Sequence, residues 1–239
     1  MKILSIIHNP AWTESRIVDL LTEAGHEVEH CCPAAGDDLP AVGDHDAVFV
    51  NGGSVSVWEA DEHPFMQREI EFVREVVDAE IPYAGFCLGS QILAAAFGET
   101  SETRDDGQVE YGFFPIEPTD AGRDLFDGLD HVFQVHEEAS VAVPDGGELL
   151  ASSDLFDVQA YRFRHAYGLQ FHPDAREHDV PGWWDDNIER YGGRPGAQSL
   201  DEQIAEAARH EAAIDRFTRR FLTTALAPVV VHDPEEIAS

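Results

Sequence analysis

Apolar positions along the first hundred residues fall into two alternating rhythms. Residues 3–8 form a short, nearly continuous apolar run that reads as a strand, and residues 13–24 carry apolar side chains at helical spacing before Gly25. Residues 47–50 are four consecutive apolar positions, the mark of a strand buried on both faces, and they run into Gly52-Gly53. The helical period returns over 65–77 through Phe65, Ile70, Phe72, Val73, Val76 and Val77, and residues 81–86 follow as another strand. From Cys87 the pattern changes at once to a helix through residues 92–97, closed by Gly98. Cys87 therefore sits on a strand-to-helix turn.

The middle of the chain is strand-rich, with strands expected at 112–116, 131–135, 158–163 and 167–171. Strands alternating with helices predict an α/β fold: three layers, a mainly parallel sheet, and helices on both faces. Trp183-Trp184 and the glycine-rich stretch 192–196 read as an irregular connection. Ser199 and Glu202 then form a capping box that opens a long helix with an apolar stripe through Ile204, Ala207, Ile214, Phe217 and Phe221, and Pro228 stops what remains. The expected organisation is a single domain over 1–225, including a C-terminal helical extension from about residue 175, and a frayed acidic tail over 226–239.

Charge narrows the range of partners. The 239 residues include 47 Asp plus Glu against 15 Lys plus Arg, a formal charge of −32. A nucleic-acid partner held through phosphate contacts is excluded by that sign. Lys2 is the only lysine, so 14 of the 15 basic residues are arginine, and the acids are spread over every segment. This pattern predicts a solvated acidic shell adapted to high salt. No run approaches the ~18 apolar residues of a membrane span, and residues 1–7 lack the features of a signal peptide. Cys31, Cys32 and Cys87 make an odd count without metal-ligand spacing, which points to a reducing cytoplasm; Cys31 and Cys32 read as structural. The 12 histidines show no metal spacing either, and no P-loop is present, so no metal or cofactor is expected.

The chemistry concentrates at Gly85-Phe86-Cys87-Leu88-Gly89, a G-x-S-x-G nucleophile elbow with cysteine in the serine position. A turn this sharp forces strained backbone angles on its central residue and leaves no room for flanking side chains. The reactive atom is thereby presented at the positive end of a helix, whose free N–H groups can stabilise negative charge. His172, in Phe171-His172-Pro173-Asp174, supplies a candidate base. Residues two apart in extended chain project to the same side, so Asp174 can hold the imidazole in one tautomer. Asn51-Gly52-Gly53-Ser54 offers bare backbone N–H groups at the same end of the sheet; half of an oxyanion hole there would be completed by the N–H of Leu88.

Together, Gly-Phe-Cys-Leu-Gly-Ser-Gln at 85–91, Asn-Gly-Gly-Ser at 51–54 and Phe-His-Pro-Asp at 171–174 resemble the three signature blocks of class I glutamine amidotransferases, including the glutaminase part of GMP synthase. Residues 110–115, and the stretch Val135-His136-Glu137-Glu138 followed by Val143-Pro144, resemble further segments of that family. The resemblance implies a flavodoxin-like fold. It implies Cys87 as nucleophile, His172 as general base and acid, Asp174 as the orienting carboxylate, and Gly53 and Leu88 as oxyanion donors. It also implies substrate contacts at Gly52, Gln91 and His136. Two positions depart from the family pattern: Asp174 stands where glutamate is usual, and Ser54 where proline is usual.

The implied reaction is hydrolysis of the glutamine side-chain amide through a cysteinyl thioester, with ammonia passed to a separate synthetase subunit, because the residues after 174 are too few for an ATP-binding domain. The alternative is a hydrolase or transferase of other γ-glutamyl compounds. A third reading is an idle binding module on the same fold.

Overall fold

The computed structural model describes residues 1–227. The first half runs β1 (Lys2–Ile6), α1 (Arg16–Glu23), β2 (Glu27–Cys31), β3 (Ala47–Val50), α2 (Pro64–Asp78), β4 (Tyr83–Phe86) and α3 (Leu88–Ala96). A strand-rich middle follows: β5 (Ser101–Thr103), β6 (Glu110–Pro115), β7 (Glu117–Pro118), β8 (His131–His136), β9 (Glu138–Ser140), β10 (Glu148–Ser152), β11 (Ala160–Phe163) and β12 (Ala166–Leu169). Helices α4 (Val180–Tyr191) and α5 (Leu200–Ala225) complete the described chain.

Alternation along the central strands divides the core in two. Ile3, Ala47, Phe49, Ala84 and Phe86 pack on one face with α1 and α5, while Leu4, Ile6, Val48, Val50 and Tyr83 pack on the other with α2 and α3. Every residue of β3 and β4 is buried because helices cover both faces. This is the three-layer flavodoxin-like arrangement. Eight strands are ordered β2-β1-β3-β4-β12-β11-β10-β7. Neighbours from β2 to β12 are parallel, and those from β12 to β7 antiparallel. The sheet is thus mixed, with the expected parallel pairing confined to five strands. The reversal follows from the two-residue link between β11 and β12, which admits only an antiparallel pair.

The C-terminal third departs from expectation at one place. Trp183-Trp184 lie within α4 rather than in an irregular connection, because Pro181 occupies the first turn, where its missing N–H costs nothing. The glycine-rich stretch from Gly192 is irregular as expected. Helix α5 begins at the expected capping box, in which Ser199 N–H donates to Glu202 Oε2 at 2.7 Å and Glu202 N–H donates to Ser199 Oγ at 3.4 Å. Its Phe217 and Phe221 are fully buried, and Phe221 meets Phe86 edge-on with centroids 6.0 Å apart. Truncating either to alanine should cost about 3–5 kcal/mol. Pro228 and most of the acidic tail lie outside the described residues.

Arg16 fastens this helix to the rest. It is 5% exposed; Nη1 and Nη2 donate to the Glu211 carboxylate of α5 at 2.8 and 2.7 Å, and Nη2 donates to Ala175 O at 2.7 Å. Its own backbone N–H donates to Asp174 O at 2.8 Å. One arginine therefore ties α1 and α5 to the segment that carries Asp174.

Candidate active site

The carboxyl ends of β1, β3, β4 and β12 converge on one cleft, where α/β sheets hold their ligands. Cys87 joins β4 to α3 at φ 49°, ψ −108°, a left-handed conformation rare for a residue with a side chain. The two glycines are required by distance: a Cβ on Gly85 would lie 2.3 Å from Gly89 O, and one on Gly89 would lie 2.1 Å from Val50 O. The bend is held further by Ser90 Oγ, which donates to Cys87 O at 2.8 Å, and by Tyr83 OH, which donates to Gly89 O at 2.8 Å.

Cys87 and His172 line the same cleft, on either side of Gly52. Gly52 fits between them, since a Cβ there would meet His172 Cε1 at 2.9 Å and Cys87 Cβ at 3.6 Å. His172 Nδ1 lies 3.2 Å from Asp174 Oδ1, and both side chains are almost buried. His172 N–H donates to Phe133 O at 2.8 Å, fixing the backbone beneath the ring. Trp183 packs edge-on against the imidazole from α4. Burial disfavours the imidazolium, but the Asp174 charge and the contacts with Asp174 and Cys87 outweigh it, and the His172 pKa is raised to about 10. Asp174 therefore favours the protonated form of the ring.

Across the cleft, the backbone N–H groups of Gly53 and Leu88 have no hydrogen-bond partner among the described residues. They are available to an anion. The Asn51–Gly53 loop that presents one of them is firmly tied. Asn51 Nδ2 donates to Ile6 O at 2.8 Å and Ser5 Oγ at 3.1 Å. His8 Nδ1 donates to Gly52 O at 2.8 Å, while its Nε2 lies 3.2 Å from Glu69 of α2, which is fully buried. Burial opposes charge on His8, yet Glu69 raises its pKa, and both ring nitrogens face acceptors. The buried His8–Glu69 contact thus anchors the loop.

The cavity is about 390 Å³, bounded by Gly52, Gly53, Cys87, His172 and Asp174 on the sheet side. Trp183, Asp186, Asn187, Arg190 and Tyr191 of α4 form the opposite wall. Arg190 Nε donates to Glu137 Oε1 at 2.9 Å and Nη1 donates to Ser54 O at 3.0 Å, joining that wall to the glycine loop.

Two expected substrate contacts are not at the cavity wall. Gln91 Nε2 donates to Glu138 O at 3.0 Å and Gln170 Oε1 at 3.2 Å, and Gln170 Nε2 in turn donates to Cys87 Sγ at 3.6 Å. Gln91 thus reaches the sulfur only through Gln170. His136 lies 2.9 Å from buried Glu110 and 3.0 Å from Gln134 Oε1. Alternation in β8 explains this: Val135 faces the cleft, so the next side chain turns away. Cys31 and Cys32 are buried and unbridged, and burial together with Asp37 pushes the Cys31 thiol up to about 11.

Nothing in the sequence assigned a role to His8, Glu69, Gln170 or Arg190. One signal was present for Glu69. It shares the buried stripe of α2 with Met66, Val73 and Val76, where a carboxylate needs a partner.

Residues 12–180 match the family model for glutamine amidotransferase class-I. The chain belongs to the class I glutamine amidotransferase family. It is 33% identical over 141 residues to a subunit of the glutamine-hydrolyzing GMP synthase of Halobacterium salinarum, covering 57% of this chain and 70% of that one. The corresponding subunit from Methanobrevibacter smithii is 36% identical over 110 residues, or 43% of this chain and 54% of that protein. The glutamine-hydrolyzing GMP synthase of Streptomyces avermitilis is 33% identical over 134 residues, 54% of this chain. The chain spans about a quarter of the Streptomyces protein and about half of the Methanobrevibacter one. The crystal structure of a glutamine amidotransferase from Thermotoga maritima superposes with a TM-score of 0.84 at 23% identity, covering 95% of this chain and 99% of that one. That likeness shows the fold.

Proposed function

We propose that the protein hydrolyses the side-chain amide of glutamine through a thioester on Cys87 and delivers the ammonia to a separate synthetase subunit. The observation that carries this reading is the positive-φ cysteine facing an imidazole whose far nitrogen is held by Asp174. The Cys87 thiol gives its proton to His172 as the sulfur attacks the amide carbon, and the carbonyl oxygen takes up negative charge between the N–H groups of Gly53 and Leu88. His172 gives its proton to the departing nitrogen, which leaves as ammonia. Water then adds to the thioester, losing a proton to His172, and glutamate departs as sulfur is released. Gly52 forms the floor on which the amide lies. Asp174 holds the ring despite being one methylene shorter than the glutamate usual in the family. Gln91 acts by fixing Gln170 against the sulfur, and His136 supports β8 from behind.

A second reading rests on α4. Because this helix walls the cleft, the site is closed by the chain's own residues, as a self-sufficient hydrolase of γ-glutamyl compounds requires. Incubation with glutamine and with γ-glutamyl dipeptides in molar KCl, following ammonia and glutamate, separates the two. Ammonia from glutamine, lost in Cys87→Ala, supports the amidotransferase reading. Glutamate from dipeptides without ammonia from glutamine supports the second. If neither substrate reacts, with or without a synthetase subunit, both readings fall.

A further inference from the structure

Far from the cleft, at the opposite end of β8, three side chains distant in sequence turn towards one another. Asp130 and His131 lead into β8, and His210 projects from the middle of α5. Asp130 Oδ1 lies 3.4 Å from His131 Nδ1 and 3.4 Å from His210 Nδ1, and all three atoms lie within 4.8 Å of one another. The two imidazoles are nearly parallel, with centroids 4.4 Å apart. These separations are long for hydrogen bonds, which cluster between about 2.7 and 3.2 Å. They match the edge of a tetrahedron around an ion with bonds of about 2.0–2.1 Å, which is roughly 3.3–3.4 Å.

We propose that Asp130, His131 and His210 form a binding site for a zinc-like divalent transition-metal ion that pins α5 to the start of β8. Two further observations support it. His131 Nδ1 is screened from solvent and makes no hydrogen bond among the described residues, leaving a ring nitrogen without a partner. The far nitrogen of His210, Nε2, lies 3.1 Å from Glu206 Oε2. A carboxylate there holds the proton on Nε2 and turns the Nδ1 lone pair inward, the usual support of a metal-bound histidine. Phe113 stacks on the same ring at 6.2 Å and limits its rotation. Two imidazoles with one carboxylate favour a borderline-soft ion over magnesium or calcium, which take oxygen ligands. Asp130 is mostly exposed, so an entry path and a fourth position for water are open. Spacing along the chain does not announce the site, because the ligands come from two elements brought together only by folding.

The site lies roughly 13 Å along β8 from Val135 at about 3.3 Å per residue, and its test is independent of amide hydrolysis. Purified full-length chain, stripped with chelator, is titrated with Co²⁺ in molar KCl, which screens loose binding to surface carboxylates. The wild type and Cys87→Ala should each take up one equivalent with intense visible absorption, displaced by Zn²⁺; His131→Gln and His210→Gln should lose the bands. Saturating Zn²⁺ should raise the unfolding temperature of the wild type by roughly 3–6 °C and leave His131→Gln unmoved. If His210→Gln does not fold, Asp130→Asn and His131→Gln, whose side chains reach solvent, decide the matter. Absence of bands at one equivalent, bands that persist in His131→Gln, or bands lost in Cys87→Ala alone would each overturn the proposal.

Discussion

The indole of Trp183 packs edge-to-face on the imidazole of His172, with ring centroids 4.6 Å apart and planes at 63°. Phe133 approaches the same ring at 6.5 Å. The ring is therefore steered by aromatic walls as well as by Asp174. Trp183→Ala should lower kcat by about 10- to 100-fold through a loosened imidazole, since small misplacements cost that much. Trp183→Phe should restore most of it. Equal rates in both variants, measured as ammonia release, would show that the indole does not position the ring.

The proton on His172 has a pH signature. Asp174 favours the imidazolium, and the His172 pKa stands near 10 against an ordinary 6.5. Because the folded pKa is raised, the associated stability is present in full below pH 6.5 and disappears as pH rises from 6.5 through about 10. Denaturant melts of the wild type should weaken over that window more than those of His172→Gln. In kcat/KM profiles, Asp174→Asn should move the alkaline limb towards neutrality and lower the rate by up to about 10⁴-fold. Asp174→Glu should retain the wild-type limb. An unmoved limb in Asp174→Asn would deny the carboxylate its role.

Two glycines with different surroundings separate contact from strain. A Cβ at Gly89 would lie 2.1 Å from the carbonyl oxygen of Val50, whereas one at Gly98, at φ +95°, has nothing within 4 Å. Gly89→Ala should cost about 3 kcal/mol or more because two backbones must separate. Gly98→Ala should cost about 1 kcal/mol, from the left-handed conformation alone. Urea melts of the pair would reveal comparable losses if the close approach at Gly89 were unimportant.

The three thiols should differ in reactivity. Cys31 and Cys87 are equally shielded, each 7% exposed, but burial pushes the Cys31 pKa up to about 11, whereas Cys87 lines the cleft. Brief iodoacetamide treatment at pH 8, read by peptide mass spectrometry, should label Cys87 and leave Cys31 unlabelled. Labelling at Cys31 first would contradict the raised pKa of that thiol and the cleft position of Cys87.

Salt should stabilise the fold. With a charge of −32, self-repulsion acts over about 10 Å at 0.1 M salt and over about 3 Å at 1 M. The unfolding temperature should climb from 0.1 M to 2 M KCl. A flat or falling profile would remove the high-salt reading of the acidic shell.

The parts of the site that were legible in the sequence are local. Cys87 between its glycines, the paired spacing of His172 and Asp174, and the bare loop at Gly52-Gly53 each declare themselves within five residues, because a tight bend or an extended pair needs only its neighbours. The helical and strand periods likewise marked the central elements of the sheet. Boundaries shifted by two or three residues: β1 ends at Ile6, and α1 starts at Arg16 because Ser15 Oγ accepts the Val18 N–H.

Other features depended on distance in space. The helix at Trp183 was hidden by Pro181 and Gly182, which signal a break unless their place in the turn is known. Whether Gln91 and His136 touch the cavity depended on which way α3 and β8 face once packed. The His8–Glu69 anchor, the Arg16 tie to α5 and the cluster at His131 and His210 join elements far apart in the chain. Sequence by itself determined the sharp turn at Cys87 and the layered α/β pattern, since both follow from backbone geometry and periodic burial. Only tertiary structure decided which charges become buried partners and which helix closes the cleft, because those outcomes depend on contacts that exist after the layers have packed.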